Sequence, residues 1–161
     1  MIPAYNDLAA VIACAKSLHK AASDKANLHI YIQDDASPAV DLTILNSFEG
    51  WSVERNPANL GFPSNCNAGA RRGTSDIIVF CNQDVLAHPQ LSDGWDSPLR
   101  HTFNTFSLCA IIGARLLFPN LSIQSAGGFF DADCQPYHRC LGYENPFAEE
   151  VSGVMLSLIH I

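Results

Sequence analysis

Positive charge is scarce in this chain. Nine lysines and arginines stand against sixteen aspartates and glutamates, a formal net charge of −7 at pH 7. Binding to a phosphate backbone relies on cationic side chains that release counterions, so this balance argues against nucleic acid as a partner. An anionic membrane surface is disfavoured for the same reason. A phosphorylated ligand stays open, because a metal ion can carry the neutralising charge. Long apolar runs are also lacking: no stretch approaches the roughly 20 residues of a membrane span. Residues 151–161 hold no formally charged side chain but number only eleven. There is no basic-then-apolar leader pattern, no repeat and no low-complexity segment. No Gly-rich loop bearing Lys or Arg stands near the start, where Ala4-Tyr5-Asn6-Asp7 is found. That speaks against a nucleotidyltransferase.

The six cysteines (14, 66, 81, 109, 134 and 140) are scattered and do not form a disulfide framework. The expectation is a reducing, cytoplasmic setting in which Cys14, Cys66, Cys81 and Cys109 pack as small buried hydrophobes. Cys134, His138 and Cys140 have the spacing of three soft zinc ligands, but no fourth ligand stands nearby and the local Gly and Pro content fits an ordinary loop. With 161 residues, 48% of them apolar and 16% charged, the chain has the size and composition of one folded domain spanning 1–161.

Helical and extended patterns alternate through the first ninety residues. Leu8, Val11, Ile12, Ala15 and Leu18 share one face of a helix over 7–20, with Asn6 placed as its cap. Residues 28–33 (LHIYIQ) read as a strand ending in the polar turn Asp34-Asp35-Ala36-Ser37-Pro38. A short helix over 40–48 and a short strand over 51–55 follow. A helix over 63–72 is entered through Gly61, with Pro63 in its first turn. Residues 77–81 (IIVFC) form an unbroken apolar run, as expected of a strand buried on both faces. Residues 110–118 offer a further strand, interrupted by Gly113 and Arg115. The alternation implies an α/β fold with a mainly parallel sheet and helices on both faces.

In such sheets ligands gather at the carboxyl ends of the strands. Three polar clusters fall there: Tyr5-Asn6, Asp34-Asp35 and Asn82-Gln83-Asp84. Adjacent residues of an extended chain point to opposite sides, so one of Asp34 and Asp35 would accept hydrogen bonds from a base or ribose. The other possibility is a turn and cap for the helix beyond Val40. The i, i+2 spacing of Asn82 and Asp84 puts both on one side of an extended segment, where they could meet one Mg²⁺ or Mn²⁺ ion; a strand-ending turn is the alternative. Asn59, Gly61, Asn65, Asn67 and Gly69 cluster at a helix start, which suits a diphosphate or else a capped, closely packed helix. Arg71 and Arg72 read as a solvated face more than a phosphate clamp.

In order along the chain, Ile2-Pro3-Ala4-Tyr5-Asn6, Asp34-Asp35-Ala36-Ser37, Asn59-x-Gly61-Phe62 with Asn67-x-Gly69, and Asn82-x-Asp84 resemble family 2 glycosyltransferases over residues 2–85. Gly113-Ala114-Arg115-Leu116 with Pro119-Asn120-x-Ser122-Ile123-Gln124-x-Ala126-Gly127 is similar to the rhamnosyltransferase-like branch. The resemblance implies a Rossmann-like nucleotide-diphospho-sugar transferase fold and an inverting, metal-assisted transfer of a sugar to an acceptor hydroxyl. It implies a nucleotide-diphospho-sugar donor and a glycan or lipid-linked acceptor, in cell-surface polysaccharide or glycolipid synthesis at the inner face of the membrane. Pro3, Tyr5 and Asn6 would line the nucleotide pocket, Asp35 would hold the base, and Asn59, Gly61 and Asn67 would complete the donor site. Asn82 and Asp84 take the family's D-x-D position, with Asp84 the metal ligand. Asn82 in place of an aspartate removes one negative charge.

The family's general base lies beyond a segment resembling Val151-Ser152-Gly153-Val154-Met155-Leu156, so it is expected past Ile161. Glu149 and Glu150 precede that segment and do not receive the role. Ile2-Pro3 reads as the end of a strand whose earlier residues are absent, and residues 156–161 resemble translated adapter sequence. The expectation is a donor-binding fragment, incomplete at both ends and inactive as given. The alternative is a module that binds a nucleotide or nucleotide-sugar without transferring it.

Overall fold

The computed structural model describes residues 1–38 and 40–145. The expectations for Glu149, Glu150 and residues 151–161 lie outside the described residues. The chain divides into two compact units, Met1–Arg100 and His101–Ile161.

The first unit is built on three parallel strands in the order β1 (Ile2–Ala4), β2 (Ile30–Asp34), β3 (Trp51–Arg55). Ile2 pairs with Ile32, and Ile30 with Trp51. Helix α1 (Leu8–Ala21) joins β1 to β2, and a 3-10 helix (Thr43–Ser47) replaces the short α-helix expected over 40–48. Alternation sends Ile2, Ala4, Ile30 and Ile32 to one face, where Val11, Cys14 and Ala15 of α1 and Leu45 of the 3-10 helix close the core. Full burial of side chains such as Ile2, Ile32, Val11 and Leu45 contributes about 1.5–3 kcal/mol each. Helix α2 (Phe62–Ala70) covers the other face. Gly69 is its point of closest approach: a Cβ there would lie 2.8 Å from the Met1 side chain and 3.1 Å from Gln33 Cβ. The expectation of α/β layering about a parallel sheet therefore holds.

Four local readings are corrected. The cap of α1 is Asp7, whose Oδ1 accepts from Ala10 N at 2.9 Å, and not Asn6. Asp7 N–H donates to Tyr5 O at 2.8 Å, closing a tight turn that holds Asn6 at φ +64°. Residues 77–81 run beside β1 but are not buried on both faces: Ile78 is 41% exposed and Phe80 56%. Among the described residues their backbone bonds to β1's side go to Met1, whose N donates to Val79 O (2.8 Å) and whose O accepts from Cys81 N (3.1 Å). Arg72 is half-buried on the α2 face rather than solvated. It pairs with Glu54 at 2.6 Å, and its guanidinium stands 5.7 Å from the Tyr31 ring centre. Of the four cysteines expected to be buried, only Cys14 is; Cys66, Cys81 and Cys109 are partly exposed.

Helix α3 (Asp96–Thr105) carries the boundary between the units. The second unit has two small antiparallel pairs, β4 (Leu116–Leu117) with β5 (Ile123–Ser125), and β6 (Gly128–Phe130) with β7 (Pro136–His138). The strand expected over 110–118 is thus reduced to two residues. His138 Nδ1 is paired with Ser125 Oγ at 3.0 Å, and Cys134 and Cys140 are free thiols.

Candidate functional site

All four extended segments of the first unit end at one edge, and each end is tied to the next. Asp35 N–H, just past β2, donates to Ala4 O at 2.9 Å; Asn56 N–H, just past β3, donates to Asp34 O at 2.8 Å. The Gln83 side chain clamps the Tyr5 backbone, its Oε1 accepting from Tyr5 N (2.8 Å) and its Nε2 donating to Tyr5 O (3.1 Å). Tyr5-Asn6, Asp35 and the 82–84 segment are thereby brought together. Gln83 is the positioning residue that the sequence pattern left as a spacer.

The two adjacent carboxylates diverge, as alternation requires, and both are committed to the backbone of the site. Asp34 accepts from Arg55 Nε (2.6 Å), from Ser37 N (3.1 Å) and from the Ser37 hydroxyl. Ser37 Oγ in turn accepts from Asn6 N at 2.8 Å. Asp35, 4% exposed, accepts from Asn56 Nδ2 (2.8 Å), Leu60 N (2.8 Å) and Gly61 N (2.9 Å). Its carboxylate thus shapes the loop that enters α2. Asn59 Oδ1 also accepts from Gly61 N, at 3.1 Å, and Gly61 adopts φ +80°, which favours glycine.

Behind Asp35 lies a buried amide network that sequence reading missed in part. Asn56 Nδ2 donates to Asn65 Oδ1 (2.9 Å) as well as to Asp35. Gln33 Nε2 donates to Asn56 Oδ1 (2.9 Å), and Asn65 Nδ2 to Gln33 O (3.0 Å). No buried side-chain polar atom is unpaired among the described residues. Gln33 and Asn56, polar residues at the ends of otherwise β-rich runs, were the available signal.

The remaining candidates separate into open and closed positions. Tyr5, Asn6, Asn82 and Asp84 are exposed at the carboxyl edge. Pro3 is buried within β1. Its ring nitrogen falls on the side of β1 away from β2, so no bond of the β1–β2 ladder is lost. Asn65 and Gly69 face the sheet from α2; Asn67, two residues on from Asn65, is exposed on the outward side. Residues 82–85 do not continue as a strand. Val85 N donates to Asn82 O at 3.2 Å, so Asn82 and Asp84 belong to a turn and the extended-segment argument for their shared direction does not apply. Cys14 Sγ lies 3.8 Å from Cys81 Sγ and 3.5 Å from Asn82 O, which ties α1 to the start of that turn. The hydrogen bond between the two sulfurs pushes the Cys14 thiol up and draws Cys81 down.

Asp84 is the contrast to Asp34 and Asp35. Among the described residues it makes no hydrogen bond or ion pair, so both oxygens remain for a ligand. Among the described residues no group of three His, Cys, Asp or Glu could hold a metal ion by itself. No helix of the described residues is long and apolar enough to cross a membrane.

Comparison with known proteins finds a family model described as glycosyl transferase family 2, matching residues 1–94. The match covers more than half of the chain and nearly all of the first unit. No curated protein and no solved structure matches.

Proposed function

Since this chain belongs to glycosyl transferase family 2, we propose that it carries the donor site of an inverting, metal-assisted transferase. The donor is a nucleotide-diphospho-sugar, and the acceptor is a hydroxyl of a cell-surface glycan or lipid-linked saccharide, reached at the inner face of the membrane. The residues beyond 110 point to the rhamnosyltransferase-like branch. The observation that carries the reading is the open carboxyl edge, where Asp84 keeps an uncommitted carboxylate beside the clamped Tyr5 backbone.

Each exposed group has a task that its chemistry fits. Tyr5 offers an aromatic face to the nucleobase and Asn6 an amide to the ribose. Asp35 acts on the nucleotide side through the 59–61 loop that it anchors. Gly61 gives α2 no side-chain cap, so first-turn N–H groups remain for a diphosphate oxygen. The donor set suits Mg²⁺ or Mn²⁺ held jointly: one carboxylate from Asp84 and substrate phosphate oxygens for the rest, with the Asn82 amide left to the donor. When bound, such an ion neutralises charge on the departing diphosphate. In an acidic chain with few cations that charge has no other obvious counterpart. The base that accepts the acceptor's proton is assigned to none of the described residues.

Calorimetric titration with a panel of nucleoside diphosphates, in Mn²⁺ and in EDTA, tests this. We expect affinity at least tenfold weaker, about 1.4 kcal/mol, in EDTA or in Asp84→Ala, with an unchanged melting temperature. Equal affinity in EDTA would remove the metal role. No binding of any nucleotide would overturn the donor-site reading. Transfer of radiolabelled sugar separates a transferase from a module that only binds nucleotide.

A further inference from the structure

Two of the free cysteines touch. Cys14 and Cys81 lie 67 residues apart in the sequence, yet their sulfurs are 3.8 Å apart. Cys14 stands on α1 with no exposure and packs in the core with Ile2, Val11 and Ile32. Cys81, the last residue of the 77–81 run, packs against that core and is partly exposed. Both sulfurs also reach one carbonyl: Cys14 Sγ lies 3.5 Å and Cys81 Sγ 3.7 Å from Asn82 O. The same carbonyl accepts from Val85 N at 3.2 Å, the bond that closes the turn bearing Asp84.

Packing alone does not ask for this pair. A small apolar residue fills a contact between helix and sheet equally well, as the buried Ala15 does one residue on from Cys14. Two thiols in contact can do what two alanines cannot, which is to exchange the contact for a covalent bond. A disulfide holds its sulfurs at about 2.05 Å, so closure asks for an approach of about 2 Å. Cys14 is fixed in the core. Cys81, at its margin, is the partner able to move.

We propose that Cys14 and Cys81 are an oxidation site, closed by a hydroperoxide into a reversible disulfide that re-sets the turn over residues 82–85. The partly exposed Cys81, as its thiolate, attacks the peroxide O–O bond and becomes a sulfenic acid, and the other peroxide oxygen leaves, with a proton, as an alcohol or water. The Cys14 sulfur then attacks that of Cys81; the sulfenic hydroxyl takes the Cys14 proton and leaves as water, and the S–S bond forms. The two sulfurs together lose two electrons, which the cleaved peroxide bond receives. In a reducing compartment the pair rests as thiols, and closure is transient. Closure takes both S–H donors from Asn82 O and draws residue 81 toward α1, next to the Gln83 clamp and two residues before Asp84. An effect on nucleotide binding rests on the donor-site reading above; the disulfide itself does not.

The test treats the 161-residue chain with a slight excess of hydrogen peroxide and maps its peptides by mass spectrometry. A Cys14–Cys81 cross-link should form before any oxidation of Cys134, the exposed thiol, and dithiothreitol should reverse it. Cys14→Ala should halt Cys81 at the sulfenic acid, which dimedone traps. In the cross-linked chain the Val85 amide should exchange about threefold faster or more, and affinity for a nucleoside diphosphate with Mn²⁺ should fall by about as much. No cross-link, or one that forms no sooner than oxidation of Cys134, would overturn the proposal. Unchanged Val85 exchange in the cross-linked chain would overturn its link to the turn. A chain that cross-links but binds no nucleotide in either form would count against the donor site and leave the thiol pair standing.

Discussion

The two ends of one small sheet have opposite chemistry. At the carboxyl edge every strand runs into a polar residue, and the polar residues bond one another: Asp34 to Ser37 and Arg55, Asp35 to Asn56, Leu60 and Gly61, Gln83 to Tyr5. At the amino edge the same strands border a cavity of about 490 Å³, lined by apolar residues such as Leu18, Ile30 and Ile77 and rimmed by Asp96 and Arg100. Strands that diverge at their ends leave N–H and C=O groups without ladder partners. Side chains supply those partners at the carboxyl edge, which becomes a rigid rim with exposed functional groups. At the amino edge the Asp96 carboxylate does the same for Ser23 N and Asp24 N, and a cavity takes the place of the exposed rim.

The largest expected effect at the carboxyl edge comes from Asp35→Ala. Leu60 N would lose its acceptor, while Asn56 Nδ2 would keep Asn65 and Gly61 N would keep Asn59, a cost of about 2 kcal/mol, read as a lower urea midpoint. Nucleotide affinity should fall with it, because the 59–61 loop loses its anchor. A variant as stable as the parent but unable to bind nucleotide would instead make Asp35 a direct ligand group with little structural duty.

The rim of the amino edge is tested by acid. Asp96 accepts from Ser23 N (2.7 Å), Ser23 Oγ (2.9 Å) and Asp24 N (3.1 Å) and pairs with Arg100 at 2.7 Å. Burial raises its pKa, but the bonds from Ser23 and Asp24 outweigh that and hold it at about 2, from an ordinary 3.8. A carboxylate with a depressed folded-state pKa stabilises the fold above its unfolded value. That contribution is therefore complete above about pH 4 and is lost as pH falls toward 2. The stability gap between the parent and Asp96→Asn should shrink by about 2 kcal/mol between pH 5 and pH 2 in urea titrations. A gap that does not change with pH would mean the ionised form of Asp96 is not what holds the rim.

The smallest effect is a gain. Ala36 adopts φ +59° between the anchored residues Asp35 and Ser37. A non-glycine residue there costs about 1–2 kcal/mol, partly offset in glycine by its freer unfolded chain. Ala36→Gly should raise stability by about 0.5–1 kcal/mol, and a loss on thermal denaturation would show that the methyl group packs usefully.

Much of this was legible in the residues alone. The apolar spacing of Leu8, Val11, Ala15 and Leu18 located α1 to within a residue at each end, and residues 51–55 coincide with β3. Period and cap chemistry are local, so they survive whatever the rest of the chain does. Misreadings arose where a distant partner decided. Asn6 has the composition of a cap, but Ser37 holds its N–H and the turn passes the capping role to Asp7. Residues 77–81 have the composition of a doubly buried strand, yet Ile78 and Phe80 stay exposed.

From its amino acids the chain specifies alternating helices and parallel strands and the identity of the polar residues at strand ends, because side-chain period and turn chemistry act over a few neighbours. Which of those residues are structural and which are open is a matter of tertiary contact. Asp34, Asp35 and Asp84 are the same residue type in similar strand-end settings. Besides the local bonds from Ser37 to Asp34, it is the approach of Arg55, Asn56 and the Leu60-Gly61 backbone, 20 or so residues away, that commits the first two, while among the described residues the third stays free.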